Sequence, residues 1–182
     1  MKVGILGGSF NPPHQGHVHI SNLAIQRLGL NQVWWIPTAY NPLKDQSIYE
    51  DYSSRIKKCE DLTAKYPKIY TKKFDEIYTE ILVKNLRSRY KNIEFFWLMG
   101  ADNLENLHRW DGFKKLVKQI PLMIFSREKK LRNIKKTKAW KFVAHSKYKI
   151  FYSKNLDISS TEIRRGLYQT KSLLIALASS FW

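Results

Sequence analysis

Apolar residues gather along this chain in short runs of two kinds. Continuous runs of strand length stand at 2–6 (KVGIL), 32–37 (QVWWIP), 93–99 (IEFFWLM) and 121–125 (PLMIF). Polar or turn residues bound each of them, the pattern of strands buried on both faces. The residues between the runs follow a different period. Ile20, Leu23, Ala24 and Leu28 recur at i, i+3, i+4 and i+8 and stop at Gly29, which predicts an amphipathic helix opening near Gly16. Further helices are predicted over 52–66, stopped before Pro67, and over 79–90, with Leu82, Leu86 and Tyr90 on one face. Strands alternating with helices predict an α/β fold: an open, Rossmann-like parallel sheet with helices on both faces.

Composition narrows the picture without changing it. The 182 residues are 43% hydrophobic and 14% aromatic, enough for one globular core. No repeat, low-complexity tract or Gly/Ser linker divides them, so a single domain over 1–182 is expected. The formal charge is +17, which favours anionic partners. Between Glu128 and Lys149 nine Lys or Arg face one acid; this segment reads as a basic loop with a short ordered element and a solvated surface. A lone cysteine, Cys59, excludes an internal disulfide and sits on the apolar stripe with Ile56, Leu62 and Tyr66, so it reads as a core residue in a reducing compartment. The first apolar run is broken at once by Gly7, Gly8, Asn11 and two prolines, unlike a signal peptide. The apolar end from Leu173 to Trp182 is shorter than the about 20 residues of a membrane span. A cytoplasmic protein with no membrane partner is expected.

The candidate chemistry lies in the loop after the first strand, GGSFNPPHQGH at 7–17. Loops at the carboxyl ends of strands are where open α/β sheets bind ligands. Gly7 and Gly8 remove side chains where backbone approaches a ligand, Pro12 and Pro13 stiffen the turn, and Gly16 opens the helix. The helix start supplies free N–H groups and a positive dipole end for a phosphate. His14 and His17, three apart, are placed to donate to the same phosphate group. The loop matches neither G-x-G-x-x-G nor G-x-x-x-x-G-K-[ST], so a dinucleotide fold of the hydride-transfer kind and a P-loop are both unsupported.

The run GSFNPPHQGH resembles the H-x-G-H signature of the nucleotidylyltransferase superfamily. Three further segments, NPLK at 41–44, MGADNLENLHRW at 99–110 and ISSTEIR at 158–164, are similar, in order and spacing, to motifs of the bacterial nicotinate-nucleotide adenylyltransferases. The resemblance covers roughly 1–167. It thins at IYTEIL (77–82), where only Tyr78 and Thr79 match the usual Ser-Tyr-Thr segment, and it ends at 168–182, a divergent tail with no assigned role.

The resemblance implies roles for particular residues. His14, His17 and Arg164 would be catalytic. Gly7, Gly8, Ser9 and Phe10 would join them on ATP, with Gly100 and Asp102 from the second motif and Ser159, Ser160 and Thr161 from the last. Lys44, Thr79 and Trp110 would hold the acceptor. These assignments also make physical sense. Asp102 follows a strand end, where a carboxylate accepts from ribose hydroxyls. Ser159–Thr161 with Glu162 reads as a capped helix start that presents donors to phosphate, to which Arg164 adds a fixed charge. Trp110 is placed to stack on a heteroaromatic ring.

The implied reaction joins ATP and nicotinate mononucleotide to nicotinate adenine dinucleotide and pyrophosphate, a step of NAD synthesis. Mg²⁺ would arrive with ATP and be held by phosphates and water, with no protein metal site. Nicotinamide mononucleotide and phosphopantetheine are alternative acceptors. From another class, the basic charge with interspersed aromatics also permits a nucleic-acid-binding module, for which no motif speaks. The oligomeric state is open.

Overall fold

The computed structural model describes residues 1–39, 49–126 and 134–152, together with Ile163 and Gly166. Their elements follow in the order β1 (Lys2–Gly8), α1 (Gln15–Leu28), β2 (Gln32–Pro37), α2 (Tyr52–Thr63), β3 (Ile69–Thr71), α3 (Thr79–Arg89), β4 (Glu94–Gly100), α4 (Ala101–Leu107), α5 (Phe113–Gln119), β5 (Leu122–Ser126), α6 (Trp140–Val143) and β6 (Tyr148–Tyr152). The strands form one six-stranded sheet in the order β3-β2-β1-β4-β5-β6. Every pairing in it is parallel.

The strand pleat sorts the apolar runs between two cores. Val3 and Ile5 of β1, Trp34 and Ile36 of β2, Phe95, Trp97 and Met99 of β4, and Leu122 and Ile124 of β5 face one side, where α3, α4, α5 and α6 pack. Leu6, Val33, Trp35, Phe96, Leu98, Met123 and Phe125 alternate onto the other side, under α1 and α2. Both faces are therefore covered, as the unbroken apolar runs require. Cys59 is fully buried in the second core.

The predicted elements fall within a few residues of those observed. Helix α1 stops at Gly29, whose left-handed backbone (φ 61°, ψ 41°) lets its N–H return to the Ile25 carbonyl; glycine adopts that conformation without a Cβ penalty. Helix α2 ends at Thr63, earlier than the expected 66, and the chain turns through a Tyr66 N–H to Thr63 carbonyl bond of 2.8 Å.

The reading of 128–149 as a basic loop with a short ordered element fits α6 but misses the strand at its end. Its described part contains α6, and its end enters β6, which pairs with β5 from Leu122↔Tyr148 to Ser126↔Tyr152. Tyr148 and Ile150 pack on one core and Phe151 on the other, while Lys149 is exposed. Lysine on an edge strand blocks further strand addition, which explains how basic charge and strand coexist there.

Candidate active site

Strand β1 leads to β2 on one side of the sheet, while its neighbour β4 leads to β5 on the other. Between the carboxyl ends of β1 and β4 the strand order reverses, and such a point is the ligand crevice of an open α/β sheet. The structure brings two predicted segments to it: the loop leaving β1 with Gly7, Gly8, Ser9, Phe10, His14 and His17, and the β4 end with Gly100 and Asp102.

The histidines form a reciprocal cap on α1. His14 is the N-cap, and its Nδ1 accepts from the Gly16 N–H at 3.1 Å; His17 Nδ1 accepts from the His14 N–H at 3.2 Å. A neutral imidazole that accepts at Nδ1 carries its proton on Nε2. Capping therefore sets the tautomer in which both Nε2 atoms are donors. The rings lie with centroids 3.9 Å apart and inclined by 39°, so the two Nδ1-anchored rings stand together at the positive end of a 14-residue helix. A structural cap and a phosphate-facing donor are compatible because they use different nitrogens.

Behind the histidines the packing is aromatic. Phe10, His17 and Trp35 form one ring cluster, with Phe10 4.6 Å from His17 and stacked on Trp35 at 5.0 Å, and His17 edge-on to Trp35 at 5.7 Å between centroids. Trp35 Nε1 donates to Ser21 Oγ, and Ser21 Oγ donates to the His17 carbonyl, both at 2.8 Å. Full burial of an indole is worth about 4 to 6 kcal/mol in transferred area, and here it holds the helix turn that carries His17.

Packing gives two of these residues a structural task, and leaves Gly8 the one read from the sequence. The side chain of Phe10 is 2% exposed, so it supports His17 from the core and offers a ligand no ring face. Its backbone has φ 46°, next to a cis Asn11–Pro12 bond, and its N–H finds no acceptor among the described residues. Gly7 answers first to the core, since an added Cβ would lie 2.5 Å from Cη2 of Trp97. A Cβ on Gly8 would meet protein no nearer than Phe10 at 3.6 Å, so Gly8 is where the bare backbone leaves room for a ligand.

At the β4 end, Gly100 caps α4 without a side-chain bond and Asp102 is exposed in its first turn. Asp102 is therefore not the cap, which leaves its carboxylate available to hydroxyl donors. Thr79 opens α3, whose start likewise has no side-chain cap. Glu80 of that turn lies against Gly112, where an added Cβ would be 2.9 Å from the Glu80 Cβ, and it accepts from Gln119 Nε2 at 3.1 Å. Thr79 and the Trp110–Gly112 turn are thus neighbouring segments. Trp110 is half-buried, edge-on to Trp97 at 6.3 Å and 85°. Lys44, Ser159, Ser160, Thr161 and Arg164 lie outside the described residues.

One residue of this region has no counterpart among the predicted set. Arg55 of α2 is 1% exposed and donates to the carbonyls of Ser9, Thr38, Ala39 and Glu50. Its carbon lies 5.4 Å and 5.3 Å from the ring centroids of Tyr49 and Tyr52. Burial pushes the guanidinium below its ordinary pKa, with Tyr49 and Tyr52 opposing. The available signal was its place on the buried stripe, three after Tyr52 and four before Cys59.

Elsewhere, Lys114, Lys135, Lys138 and Lys141 line a groove of about 410 Å³ with Phe113, Trp140 and Phe142. It shares no residue with the predicted ATP or acceptor sets. No helix among the described residues is long and apolar enough to cross a membrane.

The cytidylyltransferase-like family model matches residues 5–166. A protein of Rhizobium meliloti (strain 1021) named "Probable nicotinate-nucleotide adenylyltransferase" is 41% identical over 131 residues, 70% of this chain and 69% of its own. A protein of the same name from Agrobacterium fabrum is 38% identical, covering 70% of each chain. Among solved structures, the Plasmodium falciparum nicotinic acid mononucleotide adenylyltransferase complexed with NaAD superposes with a TM-score of 0.73 at 21% identity, over 90% of this chain and 82% of that one. That likeness concerns the fold. A parallel sheet with its H-x-G-H loop at the switch point, a family model spanning most of the chain and relatives near 40% identity lead to one conclusion: the chain belongs to the cytidylyltransferase-like family.

Proposed function

We propose that this protein transfers the adenylyl group of ATP to nicotinate mononucleotide, giving nicotinate adenine dinucleotide and pyrophosphate in NAD synthesis. The identity to proteins named for that reaction carries the reading, joined to the H-x-G-H cap at the switch point.

The 5′-phosphate oxygen of the mononucleotide forms a bond to the α-phosphorus of ATP. The bond from that phosphorus to the α,β-bridging oxygen breaks, and pyrophosphate leaves with the electron pair. The attacking phosphate is already an anion, so no side chain has to remove a proton. The protein's work is positioning and charge stabilisation. His14 and His17 donate from Nε2 to the α-phosphate, and the Phe10 N–H and the Gly8 backbone line the phosphate path. Asp102 accepts from the ribose hydroxyls of ATP, with Gly100 giving the adenosine close approach. Arg164, Ser159, Ser160 and Thr161 contact the triphosphate in this reading. Magnesium, arriving with ATP as part of that substrate and held by phosphates and water, would supply charge neutralisation for the pyrophosphate. Lys44 holds the acceptor phosphate, while Trp110 and the start of α3 at Thr79 face the pyridine ring.

Pyrophosphate release tests the reading. It should require ATP and nicotinate mononucleotide together and should equal the dinucleotide formed. Release with phosphopantetheine in place of the mononucleotide, and none with the mononucleotide, would overturn it.

A further inference from the structure

The segment entering α2 is strapped across the loop that follows β1. Tyr49 Oη and Ser9 Oγ share a hydrogen bond of 2.8 Å, and the Glu50 N–H donates to Asn11 Oδ1 at 3.1 Å. Lys58 holds the far end of the strap: its Nζ donates to Glu50 Oε1 at 2.7 Å and keeps that carboxyl below its ordinary pKa.

Arg55 completes the strap from inside. Nη1 donates to the Ser9 carbonyl and, at 2.9 Å, to that of Thr38; Nη2 donates to Ala39 and Nε to Glu50, both at 3.1 Å. One side chain thus joins the loop after β1, the loop after β2 and the entry to α2. It forms no ion pair among the described residues. A buried cation held mainly by carbonyls and ring faces, with the Asp51 carboxylate acting from a distance, is an expensive route to stability, because desolvation opposes each contact. What the planar fork provides is direction: each carbonyl it holds must point at it. The Ser9–Phe10 peptide is planar and trans, so a Ser9 carbonyl turned to Arg55 turns the Phe10 N–H away from it. That N–H finds no acceptor among the described residues.

We propose that Arg55 is a positioning residue for nucleotidyl transfer, holding the phosphate-side loop after β1 and the loop after β2 in mutual register while touching neither substrate. The proposal rests on the adenylyl-transfer reading above. It has a signature that a merely structural role lacks. Lost stability lowers the concentration of active enzyme and so the apparent kcat, leaving KM unchanged. Lost register weakens both substrates at once.

The test is steady-state kinetics of the full chain on Arg55→Lys and Arg55→Met, normalised to the folded fraction from tryptophan fluorescence. Calorimetric titration of ATP alone onto wild type and Arg55→Lys accompanies it. KM for ATP and for nicotinate mononucleotide should each rise at least fivefold in Arg55→Lys, and more in Arg55→Met. ATP affinity should fall at least fivefold. If Arg55→Met does not fold, Arg55→Lys decides. Both KM values within twofold of wild type, or an unchanged ATP affinity, would overturn the proposal. A wild type that binds ATP but does not adenylylate the mononucleotide would instead defeat the functional reading, and the titration would still judge Arg55.

Discussion

Replacing His17 with asparagine should separate the two jobs of one ring. In the structure His17 Nδ1 accepts from the His14 N–H at 3.2 Å, and the ring rests on Phe10; in the proposed reaction Nε2 donates to the α-phosphate. His17→Ala removes everything. The lost cap is worth about 1 kcal/mol and the ring contact about 0.5 to 1.5 kcal/mol. For a chain of this size that lowers Tm by roughly 3 to 10 °C, at about 2 to 4 °C per kcal/mol. The lost donor costs about 2.7 to 4 kcal/mol in the transition state, a fall in kcat of roughly 10² to 10³. Asparagine keeps an acceptor oxygen near the Nδ1 position, so His17→Asn should regain about 1 kcal/mol of stability while kcat stays as low as in His17→Ala. Glutamine places an amide donor near Nε2, so His17→Gln should exceed the asparagine variant in kcat by at least tenfold. Melting curves and single-turnover rates read the two effects apart. A folded His17→Asn enzyme with near-normal turnover would refute the assignment of Nε2 to the reaction.

Other sites give sharper contrasts. Gly7→Ala should destabilise the fold by about 1 to 3 kcal/mol, seen as a lower denaturant midpoint, because the new Cβ meets Trp97 at 2.5 Å. Gly8→Ala should leave stability nearly unchanged and raise KM for ATP. Cys59, fully buried with its thiol pushed up to about 12, should resist iodoacetamide at pH 8 until denaturant is added. Above pH 9.0 the unfolded thiol ionises while the folded one stays neutral, so this group's contribution to stability should decline as pH rises from 9.0 towards about 12. Changing the exposed Lys135, Lys136 and Lys138 together to Gln should alter salt dependence and solubility, with kcat at saturation kept within twofold.

The parts of this protein that could be read in advance are those where one local pattern decides the outcome. Buried parallel strands leave unbroken apolar runs, so β1, β2, β4 and β5 stand out in the sequence. A glycine- and proline-shaped loop between strand and helix marks the histidines. Strand β3 has three residues, too few for any period to appear, and β6 hides because Lys147 and Lys149 flank its inward-facing Tyr148 and Ile150. Arg55 sits on an apolar stripe but reads as one more cation in a basic chain; its role depends on carbonyls up to 46 positions away, which no local pattern contains. The same long range explains Gly7, whose missing Cβ answers to Trp97 across the β1–β4 pair. Lys44, Ser159, Ser160, Thr161 and Arg164 rest on motif alone.

The preference for the acid over the amide acceptor tests the account most directly. The uncapped start of α3 beside the Trp110 turn offers N–H donors that suit a carboxylate, whereas an amide would set its NH₂ against one of them. An unpaired buried donor costs about 1 to 3 kcal/mol, a factor of ten or more. With ATP saturating, kcat/KM for nicotinate mononucleotide should exceed that for nicotinamide mononucleotide at least tenfold. Trp110→Ala should lower both values while leaving their ratio within about threefold. A wild-type ratio at or below one would contradict the account.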